Sequence, residues 1–261
     1  MDLLKAIILG IVQGVCEFFP ISSSAHLNIF KLFLNLPTNN HLFDLVCHLG
    51  TVLASLIFLR KNILDIFKNQ KEKLGFIFLA ILPLVFIYFL FKPFTEKLST
   101  INYLPYTLLI TSFILFYASK EKKIKKEINN TRKIKDVLLI GIMQGLALIP
   151  GISRSGSTIS SACIRGWKIE EAVTFSFLLS IPTILGGMFL ESIKLCKTSS
   201  FDLFSSNFFL YFTSFSLSFL IGSVTIRYIF KIKSQKKLKI FAYYLLGLST
   251  FLIIFFKLIK I

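Results

Sequence analysis

Six long apolar runs dominate this sequence of 261 residues. As helices, they are each about long enough to cross ~30 Å of hydrocarbon. The chain is 54% hydrophobic, holds 30 Phe against 13 acidic residues, and has a mean hydropathy of +0.74, so a soluble fold would lack polar surface. The sequence therefore predicts an all-α integral membrane protein with six transmembrane helices, at 42–59, 75–91, 104–119, 172–190, 208–226 and 240–256.

Two further segments share a pattern with each other. The first is GIVQGVCEFFPISSSAHL at 10–27, and the second, a weaker copy, is GIMQGLALIPGISRSGSTI at 141–159. Gln13 aligns with Gln144, and Pro20 aligns with Pro150 after one residue is dropped, which indicates a duplicated element. A helix broken within a membrane is tolerated only where its freed backbone groups face a polar cavity. Two breaks in matching places therefore predict a binding site between two halves of the chain.

Each break separates two short apolar helices, within about 1–36 and 136–166. A half of about 14–17 residues spans roughly 21–25 Å as a helix, which reaches the bilayer centre but does not cross comfortably. We therefore predict two re-entrant helix hairpins. The alternative, that the run 3–19 is an ordinary transmembrane span, stays open.

Basic residues divide unevenly among the loops between the predicted spans. Segments 60–74, 119–136 and 231–239 hold 18 Lys and Arg, whereas 92–103 and 192–207 hold 4. The first group is therefore predicted to be cytoplasmic. This also accounts for the net charge of +17, so no nucleic acid partner is expected.

With that orientation, the two hairpins enter the membrane from opposite faces, and the repeat is inverted. We predict a single membrane domain, with repeat 1 at about 1–119, a cytoplasmic linker at 120–135 and repeat 2 at about 136–261.

The first break gathers polar side chains. Gln13 and Glu17 are four residues apart and share a helical face. Because a carboxylate inside a membrane is costly, Glu17 is expected to transfer protons, bind a cation or pair with one. His26 follows Ser23 by three residues, which puts an imidazole beside a hydroxyl, as a nucleophile with its base or a phosphate ligand with a general acid requires. The serine run 22–24 also suits an ordinary helix N-cap.

The second break adds a positive charge. Arg154 lies between Ser153 and Ser155 next to a proline–glycine pair. Its planar guanidinium can bind phosphate oxygens through two parallel hydrogen bonds. A simple ion pair between Arg154 and Glu17 is the alternative, and it would also bring the two breaks together.

Two residues of the first full span are weaker candidates. Asp44 and His48 are four apart and share a face, so both could reach the cavity. Asp44 lies near the start of the span and could instead face lipid headgroups.

These residues resemble a known family, the undecaprenyl-diphosphatases, also called bacitracin-resistance proteins. The resemblance covers nearly the whole chain and implies a multi-pass homodimeric enzyme of the bacterial plasma (inner) membrane with an inverted repeat. The similar stretches are QGVCEFFPISSSAH at 13–26, PGISRSGST at 150–158 and FSFLLSIP at 175–182.

The resemblance also implies an activity: hydrolysis of undecaprenyl diphosphate to undecaprenyl phosphate and inorganic phosphate. The site would face the periplasm or cell exterior and use a divalent cation, Mg²⁺ or Ca²⁺, and the reaction would recycle the lipid carrier for cell-wall synthesis and confer bacitracin resistance. By position, Glu17, Ser23, His26 and Arg154 match the family's functional residues. The family's first motif commonly has a second glutamate where this chain has Gln13, so the cation is expected to rely on Glu17, substrate phosphates and water.

Together these features predict a mechanism in which Ser23, or a water, attacks the terminal phosphorus. His26 acts as general base or acid, and Glu17 holds the cation or orients His26. A phosphoserine intermediate and direct water attack both stay open. Besides Arg154, the groups expected to bind the phosphates are Ser22, Ser24, Ser153, Ser155, Gly156 and Thr158.

The rival function is a secondary transporter or flippase for an anionic polyprenyl phosphate lipid, since inverted repeats with broken helices also build carriers. The closeness of Ser23 to His26 favours chemistry, because transport needs no nucleophile and base.

Overall fold

The computed structural model describes residues 2–37, 41–98, 100–120, 130–197 and 207–259. These ranges contain helices and no β-strand. Short 3-10 helices, Ile101–Tyr103 and Gln235–Lys237, precede α5 and α10. The α-helices are α1 (Leu3–Cys16), α2 (Ser23–Phe33), α3 (His41–Asn69), α4 (Lys71–Leu98), α5 (Leu104–Ala118), α6 (Asn130–Leu146), α7 (Arg154–Ile164), α8 (Ile169–Lys197), α9 (Phe208–Ile229) and α10 (Leu238–Ile259).

Within the described ranges, six helices are long and apolar enough to cross a membrane: α3, α4, α5, α8, α9 and α10. They confirm the all-α fold and the six predicted spans, each of which falls on one of them apart from the final residue of the third. The helix α3 continues to Asn69, ten residues beyond the predicted span 42–59. Its backbone hydrogen bonds continue after the apolar run ends, because they do not depend on apolar side chains. Residues 121–129 of the predicted linker and 198–206 of the predicted outer loop lie outside the described residues.

The two remaining helix pairs are short and antiparallel neighbours. The helix α1 has only 14 residues and packs on α2, and α6 packs on α7. This is the helix–break–helix arrangement that the hairpin prediction requires. Their re-entry into a membrane and the inversion of the repeat stay predictions.

Glycines let the first helix of each pair approach a longer helix closely. A Cβ added at Gly10 would lie 2.9 Å from the Ser214 carbonyl oxygen of α9, and one at Gly141 would lie 2.3 Å from the Ala80 carbonyl oxygen of α4. On the α9 side, Ser218 Oγ donates to the Gly10 carbonyl at 3.0 Å. Small residues and hydroxyl bonds of this kind are how helices associate tightly in an apolar environment. The contacts α1 with α9 and α6 with α4 thereby fix where each break lies.

Ion pairs with one fully buried partner each lie at the ends of the short helices. Lys31, near the end of α2, donates to Asp44 Oδ2 of α3 at 2.6 Å. Asp136, near the start of α6, accepts from Arg165 and from Trp167 Nε1, which follow α7. Pairing and hydrogen bonding are what make such buried charges tolerable. Asp44 is therefore engaged by Lys31 and does not serve the cavity described next.

Candidate active site

The two breaks meet around a cavity of about 180 Å³. One break joins α1 to α2 and the other joins α6 to α7. The N-terminal ends of α2 and α7 both line the cavity, which places two positive helix ends at one site. Its polar lining comprises Glu17, Ser22, Ser23, Ser24, His48, Ser153, Arg154 and Ser155. Most of the predicted site residues therefore come together in three dimensions.

Glu17 accepts hydrogen bonds from three other polar residues at this cavity. It is 7% exposed, and its Oε1 accepts from Arg154 Nη2 at 2.5 Å. Its Oε2 accepts from Ser23 Oγ at 2.7 Å and from Gln13 Nε2 at 3.0 Å. The carboxylate thus has a cation on one oxygen and a hydroxyl on the other. It is placed to take the Ser23 proton when that oxygen attacks an electrophile.

Arg154 connects the two halves of the chain, and its ion pair with Glu17 occupies only one of its two terminal nitrogens. Its Nη2 contacts Glu17, while its Nη1 is buried and has no hydrogen-bond partner within the described ranges. A buried guanidinium nitrogen without an acceptor is costly, and an anion in the cavity would supply that acceptor. The ion pair and the phosphate role, which the sequence left as alternatives, are therefore compatible.

The backbones of the two breaks also touch. Ser155 Oγ donates to the Phe19 carbonyl at 3.3 Å. A Cβ at Gly156 would lie 3.3 Å from the Pro20 carbonyl oxygen and 3.0 Å from Ser153 Cβ. Gly156 was predicted to bind the phosphates, and in the structure it lets one break approach the other.

The two helix N-termini differ in their capping. Ser153 Oγ accepts from the Gly156 amide at 3.0 Å and so caps α7. Ser22 occupies the cap position of α2 with φ 71°, but its side chain makes no capping bond and lies 3.3 Å from Ser24 Oγ. The N-cap therefore falls within the predicted serine run but has no side-chain capping bond, and left-handed backbone at a non-glycine residue marks local strain.

Thr158 does not line the cavity. Its Oγ1 donates to the Arg154 carbonyl one turn earlier, at 2.9 Å, and lies 2.6 Å from Ser176 Oγ of α8. Bonding back to the preceding turn is a common alternative for threonine in a helix. Its predicted contact with substrate is replaced by a contact between α7 and α8.

His26 is not hydrogen-bonded to Ser23, contrary to the pairing that the sequence predicted. Its Nδ1 lies 2.8 Å from the Ser22 carbonyl oxygen, and its Nε2 lies 2.7 Å from Tyr244 Oη. The two rings stack at 15° with centroids 5.7 Å apart, and His26 is 4% exposed. Both ring nitrogens are thus occupied, so Glu17 rather than His26 holds the Ser23 hydroxyl.

The imidazole that does line the cavity belongs to His48. Its Nδ1 lies 2.8 Å from Gln13 Nε2 and 3.4 Å from Glu17 Oε2. The sequence offered a signal for it, since His48 stands one turn after Asp44 on the first full span, but gave it little weight. The contact between His26 and Tyr244 could not be predicted from the sequence, because the two residues are 218 positions apart.

Metal binding was expected at Glu17 and Gln13. Within the described ranges, no group of three or more His, Cys, Asp or Glu side chains could hold a metal ion. Both Glu17 oxygens already accept from Arg154 or Ser23, and Gln13 Oε1 is buried without a partner among the described residues. These donors fit a divalent cation that takes most of its oxygen ligands from substrate and water.

A larger cavity of about 460 Å³ lies elsewhere, between α4, α6 and α8. Its charged lining is Lys73, Lys133, Glu170 and Glu171, and it holds no residue of either break. Size alone would favour it, but a hydroxyl bonded to a buried carboxylate beside a guanidinium occurs in the smaller cavity.

The chain is similar to known proteins over nearly its whole length. Residues 6–251 match the family described as bacitracin resistance protein BacA. The chain is 35% identical over 254 residues to an undecaprenyl-diphosphatase of Protochlamydia amoebophila, with 96% of this chain and 98% of the relative covered. It is 38% identical over 246 residues to one of Carboxydothermus hydrogenoformans, covering 94% of each, and 37% identical over 268 residues to one of Caldicellulosiruptor bescii, covering 99% of each.

Proposed function

Because this chain belongs to the bacitracin resistance protein BacA family, we propose that it hydrolyses undecaprenyl diphosphate to undecaprenyl phosphate and inorganic phosphate. The observation that carries the proposal is the hydrogen bond from Ser23 Oγ to Glu17, whose other oxygen pairs with Arg154. A nucleophile, a base and a phosphate-binding cation thus lie in one cavity. The name shared by relatives that match nearly the full chain supports the same activity.

In the reaction, an oxygen attacks the terminal phosphorus and the bond to the bridging oxygen breaks. The bridging oxygen leaves with its electron pair as part of undecaprenyl phosphate. If Ser23 attacks, its proton passes to Glu17 and from there to the departing phosphate, and water then cleaves the phosphoserine and returns a proton to Ser23 Oγ. If water attacks directly, Ser23 and Glu17 orient it, and Glu17 takes its proton and passes it to the departing phosphate. The bond at 2.7 Å between Ser23 and Glu17 serves both routes.

Charge develops on the phosphate oxygens, and the second break is placed to stabilise it. Arg154 Nη1 has no partner among the described residues and can donate to a phosphate oxygen while Nη2 keeps its contact with Glu17. The N-terminal ends of α2 and α7 add positive backbone dipoles. Serine hydroxyls from both breaks, at Ser24 and Ser155, complete the lining. This division of charge explains why the site needs both breaks.

The proposal includes a divalent cation, Mg²⁺ or Ca²⁺, carried largely by the diphosphate. Glu17 is the carboxylate nearest to it, and Gln13 Oε1 offers a further buried oxygen. When bound, such a cation neutralises phosphate charge and so assists displacement.

Six apolar helices make this a multi-pass membrane protein, and the polyprenyl tail of the substrate would lie against them. We place it in the bacterial plasma membrane as a homodimer, with an inverted repeat of re-entrant hairpins and the site open to the periplasm or cell exterior. The uneven loop charges support that orientation. Recycling of the carrier for peptidoglycan synthesis, and resistance to bacitracin, would follow from this location.

A transporter of anionic polyprenyl phosphate is the less favoured function, because transport gives no role to a serine hydroxyl bonded to a buried carboxylate. The deciding experiment measures phosphate release from undecaprenyl diphosphate by purified protein in detergent, where no second compartment exists. We expect release by the wild type and loss in Ser23→Ala, with Ser55→Ala as the control, since the Ser55 hydroxyl bonds to the Thr51 carbonyl of its own helix. Equal release by wild type and Ser23→Ala, or none by folded wild type, would contradict the proposal.

A further inference from the structure

Gln13 is the only residue among those described that contacts both Glu17 and His48 through one atom. Its Nε2 lies 3.0 Å from Glu17 Oε2 and 2.8 Å from His48 Nδ1. A carboxamide nitrogen carries two hydrogens and accepts none. One hydrogen therefore goes to the carboxylate and the other to the imidazole.

The orientation of this amide is fixed by the carboxylate. Turning it over would place Gln13 Oε1 against Glu17 Oε2, so that two acceptors would face each other and a hydrogen bond to a charged group would be lost. The contact between Glu17 and Arg154 keeps the carboxylate in place at the other side. Gln13 therefore presents its NH₂ group to His48.

His48 Nδ1 lies 3.4 Å from Glu17 Oε2 and 2.8 Å from Gln13 Nε2. The amide donor is the nearer of the two and already satisfies Glu17 Oε2 with its other hydrogen, so His48 Nδ1 accepts from Gln13. The ring is then neutral, with its one hydrogen on Nε2. The side chain of His48 is 27% exposed and lines the cavity together with Ser23 and Arg154. Its Nε2 makes no hydrogen bond with the described residues, so this N–H is available to a ligand in the cavity.

We propose that His48 is a further substrate-binding residue, a neutral hydrogen-bond donor whose Nε2–H contacts a phosphate oxygen, and that Gln13 selects the tautomer which makes it a donor. This inference deepens the proposed hydrolysis and rests on it for the identity of the ligand. It gives the amide at position 13 a role of its own: a carboxylate there could not donate to Nδ1. No proton is transferred by His48 in this role.

His26 provides an internal comparison. His26 Nδ1 faces the Ser22 carbonyl, which can only accept, so Nδ1 carries the hydrogen. Its Nε2 then accepts from the Tyr244 hydroxyl. His26 and His48 are thus expected to hold opposite neutral tautomers.

The first test reads the tautomers directly and needs no enzymatic activity. Protein with ¹⁵N-labelled histidine contains three such residues, and the signals of two are assigned with His26→Gln and His48→Gln. We expect a protonated Nε2 and bare Nδ1 for His48, and the reverse for His26. A proton on Nδ1 of His48, alone or together with one on Nε2, would overturn the inference.

The same sample tests ligand contact with inorganic diphosphate as the probe. Addition of diphosphate should shift the Nε2–H resonance of His48 and leave the Nδ1–H resonance of His26 unmoved. In a second sample that is also ¹⁵N-labelled at arginine, diphosphate that shifts the Arg154 side-chain signals but not those of His48 would show an anion in the cavity without the proposed contact, which would count against the inference.

The kinetic test compares His48→Gln, which keeps an N–H donor, with His48→Leu, which keeps bulk and removes it. Loss of one hydrogen bond to a charged phosphate should lower kcat/KM by roughly tenfold to a hundredfold in the Leu variant. The Gln variant should stay within about threefold of wild type. Ser55→Ala, on the same helix but bonded to its own backbone at Thr51, is the matched control and should be unchanged.

These results separate the two claims. If wild type releases phosphate and His48→Leu, folded by its thermal unfolding curve, does so equally well, the inference fails and the hydrolase function stands. If His48→Gln is as impaired as His48→Leu, a neutral N–H donor at this position does not support the reaction, and the proposed role of His48 fails. If wild type releases no phosphate, the function fails, while the tautomer and diphosphate shifts still decide whether His48 is an anion-binding donor.

Discussion

The two breaks share one sequence pattern, yet among the described residues only the glutamine of the first break joins a polar network. Gln13 donates to Glu17 and lies against His48, whereas its counterpart Gln144 is 2% exposed and neither amide atom has a partner within the described ranges. The second break instead contributes Arg154, which reaches across to Glu17. The two breaks therefore have similar sequences but different charges: the first holds the carboxylate and the Ser23 hydroxyl, and the second holds the cation.

What the two halves still share is packing. Gly10 and Gly141 occupy matching positions, and at each a carbonyl oxygen of the neighbouring long helix lies where a Cβ would stand. Close approach depends on a small residue at the contact, which the first helix of each pair has. Catalytic chemistry depends on a few side chains, which differ between the two breaks.

The largest expected effect follows from removing the charge at the centre of the first break. Glu17→Gln leaves Ser23 without its base and Arg154 without its counter-charge, so phosphate release should fall by roughly a thousandfold. Turnover in detergent measures this, with Glu171→Gln, an exposed residue of α8, as control. Activity within tenfold of wild type would mean that the first break does not hold the base.

The next effect concerns the cation of the second break. Arg154→Lys keeps the charge but loses the planar fork that contacts Glu17 through Nη2 and leaves Nη1 for phosphate. We expect a loss of about a hundredfold in kcat/KM, equivalent to ~3 kcal/mol in the transition state. The control is Arg227→Lys, exposed on α9. Near wild-type kinetics would show that a positive charge is enough at this position and that the planar shape of the Arg154 guanidinium is not required.

A paired substitution compares the two copies directly. Gln13→Leu removes the donor to Glu17 and His48 and should lower activity about tenfold, whereas Gln144→Leu should leave activity unchanged. Because Gln144 is buried without partners, its replacement should also leave thermal stability equal or higher. Both enzymes are assayed for phosphate release and thermal unfolding. Equal losses of activity in the two variants would show that the second copy retains a chemical role.

The smallest effect on activity is expected where the copies are alike. Gly10→Ala and Gly141→Ala each force a neighbouring helix outward and should destabilise the fold by about 1–3 kcal/mol while altering kcat by no more than about threefold. Thermal unfolding in detergent measures the first and steady-state kinetics the second. Gly75→Ala, where an added Cβ meets nothing within 4 Å, serves as the control. A change confined to one of the two glycine variants would mean that the packing has diverged as well.

Hydropathy and residue type determined much of this protein in advance. The six spans were predicted from apolar runs that are each about long enough to cross the hydrocarbon of a membrane. Both breaks were predicted from a proline next to hydroxyl residues. Glu17 and Arg154 stood out because an isolated charge in an apolar segment is costly unless it is used. All of these are local properties, which neighbouring residues in the chain suffice to set.

The partners of those residues depended on tertiary structure. The Glu17–Arg154 contact joins positions 137 apart, and the choice of Glu17 over His26 as the partner of Ser23 depends on how α2 is rotated against α10, where Tyr244 takes the His26 ring. Likewise, His48 faces the cavity while Asp44, one turn earlier, is held by Lys31. Sequence spacing shows which side chains share a helical face. The direction of that face is set by packing against helices that are distant in sequence. That packing is the reason why the imidazole of His48, and not that of His26, lies beside the Glu17 carboxylate.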